Sequence, residues 1–163
     1  MPCHSNPQSA AHARLLVDRF NIPHQTVDLT TVYDQFLRIL PEEEDRPIAY
    51  ELKRIIDSRG EGTESRSAVV VTDMWMLNQE MADLFPAIAV GGPGVNAFAA
   101  QIYEDLPVAF TRDQRLFIQM NPDAGKRVAL WGMDQPATRE AADLFVKDGF
   151  LDRFLDLVWH RDR

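Results

Sequence analysis

The chain has 163 residues, of which 45 % are hydrophobic and 26 % charged, with a formal net charge of −8 and a pI of about 4.9. With that apolar share a real core can be buried and disorder is not the default, and the length fits one domain, with or without a small appendage. The acidity, without any dense Lys/Arg run, speaks against duplex nucleic acid and anionic membrane surfaces as partners.

No apolar run approaches the roughly 20 residues that span a bilayer. The opening MPCHSNPQSAAHAR lacks the basic-then-apolar order of a signal peptide. Cys3 is the only cysteine, so no intrachain disulfide is expected, and a reducing cytoplasm is the expected compartment.

In chain order, residues 1–6 read as a strand end and a polar turn. Pro7 opens a helix to about Phe20, with Ala11, Leu15, Leu16 and Phe20 as expected buried positions. Residues 24–29 read as a strand. Thr30 or Thr31 caps a short helix carrying Val32, Tyr33, Phe36, Leu37 and Leu40.

This first stretch resembles a segment of ammonia-dependent NAD synthetases, adenylating enzymes of the pyrophosphate-loop ATPase type. The matching pieces within residues 1–40 are PCHS with Pro7 close behind, LLVDRFNIP, and VDLT followed by VYD. The resemblance implies descent or a borrowed βαβα piece. The family's phosphate-binding turn, SGG-x-DS, has no counterpart in the sequence, and no catalytic residue is carried over.

PEEED, residues 41–45, is an acidic break. A second amphipathic helix follows, with Ile48, Leu52, Ile55 and Ile56 on one face. RGEGTESRS, residues 59–67, has no apolar side chain and reads as a linker. The expected organisation is therefore a βα or helical appendage at 1–58, a linker at 59–67 and an α/β domain at 68–163.

Within that domain, AVVV at 68–71 reads as a strand buried on both faces. MWML at 74–77 is apolar enough to cover a sheet edge or an interface. Residues 87–106 form the centre of the pattern. A small-residue strand, AIAV, leads into the turn Gly91, Gly92, Pro93, Gly94. A helix follows on Val95, Phe98, Ala99, Ile102 and Leu106. Further strands are expected at 107–110, 115–120 and 128–131. Pro136 opens a helix that Gly149 ends, and residues 150–159 form a last amphipathic helix.

VGGPGVNAFAA and ALWGMDQPATREAADLF together are similar to paired motifs of an α/β domain in archaeal surface-layer proteins. The matching positions, within residues 68–148, are Gly91, Gly92, Pro93 and Asn96, then Gly132, Thr138, Arg139 and Ala141. The resemblance implies a sheet domain with structural or assembly roles and no cofactor.

Several candidate sites follow from the residues. Backbone amides after Gly91, Gly92 and Gly94 are a candidate anion cradle, although GGPG matches no Walker or dinucleotide pattern and Pro93 lacks a donor. The other reading makes the turn a device for close helix–strand packing and positive φ. Asn96 caps the helix or faces a ligand. Asp73 and Asp134 follow presumed parallel strands, where open α/β sheets bind ligands. Thr138 and Arg139 sit at a helix start. No zinc pattern, hydrolase elbow or histidine constellation is present in the sequence, so neither a metal site nor a catalytic residue is expected.

The sequence thus predicts a three-layer, Rossmann-like α/β domain with a mostly parallel sheet flanked by helices. Its expected role is a cytoplasmic, non-catalytic module for self-association or for binding a protein partner, with no cofactor, nucleic acid or membrane. MWML and residues 150–159 are its candidate surfaces, or equally parts of its core. The alternative is a nucleotide or phosphometabolite binder, an enzyme related to NAD synthetases included. It would use Gly91 to Asn96, with Mg²⁺ held by Asp73 or Asp134.

Overall fold

The computed structural model describes residues 7–20, 37–41, 44–61, 63, 66–78, 85–123 and 125–159. Contacts divide the chain into two units, Met1–Gln35 and Phe36–Arg163. The first contains helix α1, Pro7–Phe20, as expected. Leu15, Leu16 and Phe20, expected to be buried, are exposed. The strand expected at 24–29 and the helix start at Thr30 lie outside the described residues.

The second unit is an α/β fold around one open sheet. Its elements are β1 (Leu37–Pro41), α2 (Arg46–Arg59), β2 (Ala68–Val70), α3 (Asp73–Leu77), β3 (Ala87–Val90), α4 (Ala97–Ile102), β4 (Val108–Arg112), β5 (Leu116–Met120), β6 (Arg127–Gly132), α5 (Gln135–Lys147) and α6 (Phe150–Trp159). The strand order is β2-β1-β3-β6-β5-β4. The first four run parallel, and β5 pairs antiparallel with both β6 and β4.

Leu37 and Leu40 thus belong to a strand and not to the expected short helix. β1 gains backbone partners on both sides, from β2 and β3, and that pairing overrides local helical spacing. Of the stretch 59–67, Arg59 closes α2 and the rest leads to β2, inside the second unit, and α2 falls in the same unit as the sheet. β2 was expected to be covered on both faces. It is the outermost strand instead, and Val69 and Val70 are only partly buried.

Strand alternation sends neighbouring residues to opposite faces. Ile88 and Val90 join one core cluster with Ile48, Leu52 and Ile56 of α2, Ala141 and Phe145 of α5, and Leu151, Phe154 and Leu155 of α6. Ala87 and Ala89 join another with Met76 of α3 and Phe98, Ala99 and Ile102 of α4. A fully buried side chain of Phe or Leu size contributes about 1.5–3 kcal/mol to folding. Residues 150–159, a candidate surface in the sequence, therefore belong to the core: the apolar stripe of α6 is consumed by packing. MWML is divided, with Met76 buried and Met74 exposed.

The β4–β5 hairpin turns on Asp113 and Gln114, both in the left-handed region at φ 53° and 54°. Arg115 N donates to Arg112 O across the turn at 2.9 Å. Two residues of positive φ match the twist of a hairpin, but the conformation strains a glutamine. Gln114→Gly is expected to raise stability by about 0.5–1 kcal/mol, read as a higher urea midpoint with an unchanged slope.

Candidate functional site

The connection from β1 through α2 to β2 runs one way along the sheet, and the return to β3 crosses back past β1. Such a reversal opens a crevice beyond the carboxyl ends of the strands. A cleft of about 530 Å³ lies there. Its walls come from the residues after β1 (Glu44, Asp45), after β3 (Gly92, Pro93, Gly94, Val95) and from the end of β6 into α5 (Trp131 to Gln135, and Thr138).

Of the residues singled out in the sequence, Gly92, Gly94, Asp134 and Thr138 share this cleft. Gly91, Asp73 and Asn96 act in the framework behind it. Gly91 adopts φ 108° and donates its N–H to Leu130 O at 2.9 Å, locking the turn to β6. Asn96 is fully buried. Its Oδ1 accepts from Ala99 N at 2.9 Å, and its Nδ2 donates to Val90 O at 3.2 Å. Asp73 reaches from α3 to α4, where Oδ2 accepts from Ala97 N at 2.9 Å, while Oδ1 accepts from Met74 N at 2.7 Å. Arg139 lines a second cleft, of about 320 Å³, between α2 and α5, and pairs with Glu51 at 3.0 Å.

The amide donors that an anion would need are largely committed. Val95 N and Asn96 N both donate to Gly92 O, at 3.1 and 2.9 Å. Ala97 N serves Asp73, Ala99 N serves Asn96, and Pro93 has no N–H. At the start of α5, Asp134 Oδ1 accepts from Ala137 N at 2.9 Å, and Thr138 N donates to Asp134 O at 3.0 Å. Thr138 Oγ1 accepts from Gly132 N at 3.1 Å and donates to Asp134 O at 3.3 Å. These side chains act as caps and turn fasteners.

The electrostatics agree. Among the described residues, those lining the cleft include Glu44, Asp45 and Asp134 and no Lys, Arg or His. Arg115 approaches from outside that lining and pairs with Asp134 Oδ2 at 2.9 Å. Among the described residues no group of three His, Cys, Asp or Glu is placed to hold a metal ion.

Trp131 forms one wall. Its ring stacks on Phe117 with centroids 4.1 Å apart and an interplanar angle of 19°. Its Nε1 donates to Gln119 Oε1 at 2.7 Å. Gln119 is buried, and its Nε2 donates to Tyr103 O and Leu106 O at 2.8 and 3.1 Å. The indole is thereby fixed in orientation. Tyr103 donates its hydroxyl to Glu104 at 2.9 Å, and that bond together with the carboxylate charge raises the phenol above its ordinary pKa. The rim of the cleft is apolar: Val95 is 64 % and Met133 68 % exposed.

Glu44, Asp45, Trp131, Met133 and Gln135 were not foreseen as site residues. Gln135 Nε2 donates to Glu44 O at 2.6 Å, joining the start of α5 to the segment after β1. The available signal was PEEED followed by RP, an acidic turn ending on a helix-opening proline; it needed β1 to be read as a strand. No candidate membrane-spanning helix occurs among the described residues. No family model matches the chain, and no curated protein matches it.

Proposed function

We propose that this chain is a non-catalytic, cytoplasmic α/β module of three layers that binds a protein partner at the carboxyl end of its parallel strands, without a cofactor. One observation carries the reading: the cleft there is lined by carboxylates and rimmed by exposed Val95 and Met133, with no basic side chain among the described residues of its lining. Exposed apolar residues beside a concave surface are a feature of protein contact sites. The likeness of the glycine turn and the TREA stretch to surface-layer domains points the same way, since it implies assembly and no chemistry.

The cleft's place at the strand reversal favours a second reading, a nucleotide or phosphometabolite site with Mg²⁺. Carboxylates facing a phosphate repel it, and the committed amides of the turn offer it little. Thermal unfolding separates the two. A ligand at about a hundred times its Kd adds about 2.7 kcal/mol, a midpoint rise of about 5–10 °C for a chain of this size. ATP and NAD, with or without Mg²⁺, are expected to leave the midpoint unmoved. A rise of that size would overturn the partner-binding reading.

A further inference from the structure

We infer that Lys53 and Asp57 of α2 form an autoinhibitory clasp on β2, holding shut a strand edge that would otherwise pair with β2 of a second copy of the chain. The inference is independent of the partner-binding reading of the cleft.

Among the described residues β2 is the outermost strand. Its register on β1 settles which of its backbone groups face inward. Val71 N donates to Ile39 O at 3.0 Å, so Val69 and Val71 turn their backbone groups toward β1. Alternation along the strand then turns the N–H and C=O of Ala68 and Val70 away from the sheet. An edge of this kind is open to pairing with another chain. Here half of it is taken by side chains. Asp57 Oδ1 accepts from Ala68 N at 2.8 Å, and Lys53 Nζ donates to Ala68 O at 2.6 Å. The same ammonium binds Asp57 Oδ2 at 2.6 Å. One acceptor and one donor, a turn apart on α2, thus supply at Ala68 what a neighbouring strand would supply. No described side chain does the same at Val70.

The occupant follows from the spacing. In an antiparallel pair about a two-fold axis beside Val69, Ala68 of each copy meets Val70 of the other. Each such pair exchanges both of its N–H···O=C bonds, so every outward group of the two strands is satisfied. The contact is isologous and closes at two copies. The Lys53–Asp57 pair stands on half of it, and pairing requires that pair to leave.

The test uses the full chain and static light scattering. Lys53→Met with Asp57→Leu removes donor and acceptor together. At about 1 mM, the weight-average mass of this double variant is expected to rise about 1.5-fold over the parent's, the mark of a weak dimer. Lys53→Met alone frees only the carbonyl of Ala68; it guards against loss of fold and is expected to show a smaller rise. Val70→Pro removes an outward N–H and is tolerated on an edge strand. Added to the double variant, it is expected to restore the parent's mass. Folded variants that scatter as the parent does would overturn the inference. So would association that survives Val70→Pro, since another surface would then be responsible. Hydrogen exchange in the parent checks the clasp itself. The Ala68 amide is expected to exchange at least about tenfold more slowly than the Val70 amide, although both face outward. Equal rates would mean that nothing holds the edge shut.

Discussion

Gly132→Ala is expected to lower stability by about 3 kcal/mol and the thermal midpoint by about 10 °C. A Cβ on Gly132 would lie 2.4 Å from Ala137 Cβ, 2.5 Å from Ala137 C and 2.6 Å from Thr138 N. Two of those atoms are backbone in the first turn of α5, so no side chain can rotate away. Relief requires α5 to withdraw from β6, loosening Ala137 and Ala141 in the core and the Thr138 hydroxyl from Gly132 N. Gly92→Ala is the control. A Cβ there meets Trp131 Cε3 at 3.8 Å, an ordinary contact, and its expected effect is within about 0.5 kcal/mol. Parallel unfolding curves of the two variants check the contrast. Equal midpoints would show that the helix does not bear on that glycine.

Asn96→Ala has the second-largest expected cost, about 2–3 kcal/mol. The side chain performs two tasks in a fully buried position. It caps α4 through Ala99 N and satisfies the carbonyl of Val90 at the end of a central strand. Loss of a cap costs about 1 kcal/mol, and a buried carbonyl left without its donor adds about 1–2 kcal/mol. Asn96→Asp keeps the acceptor and removes the donor, so it separates the two terms. Urea unfolding of both variants measures them. An alanine variant within about 0.5 kcal/mol of the parent would mean that neither bond contributes.

The central strand–turn–helix was legible because each local signal agreed: an unbroken run of small apolar residues, glycines, then helical spacing with a capping asparagine. β6 and α5 were legible for the same reason, with Asp134 and Pro136 marking the start. β1 was not. Its second residue, Arg38, is fully buried with its guanidinium 4.2 Å from the Phe85 ring centre. A charged residue inside LRILP breaks the pattern by which buried strands are read. With Leu37 and Leu40 at helical spacing, the sequence gives Glu44 and Asp45 no strand end to follow, and that wall of the cleft stays hidden in it. Of the two things the packing reading asks of the glycine turn, positive φ is found at Gly91, but the tight helix approach lies at Gly132, while Gly92 and Gly94 have room to spare. Only coordinates reveal which glycine is crowded, because a sequence shows a missing side chain and not what lies opposite it.

The two outer strands bear on how the molecule behaves at high concentration. β2 spans three residues, and β4 has a register shift between Val108 and Phe110 before ending on Arg112. Short or irregular margins with a terminal cation are poor templates for ribbon growth. Along its hydrogen-bonding direction the described sheet therefore offers little purchase for fibril-like stacking.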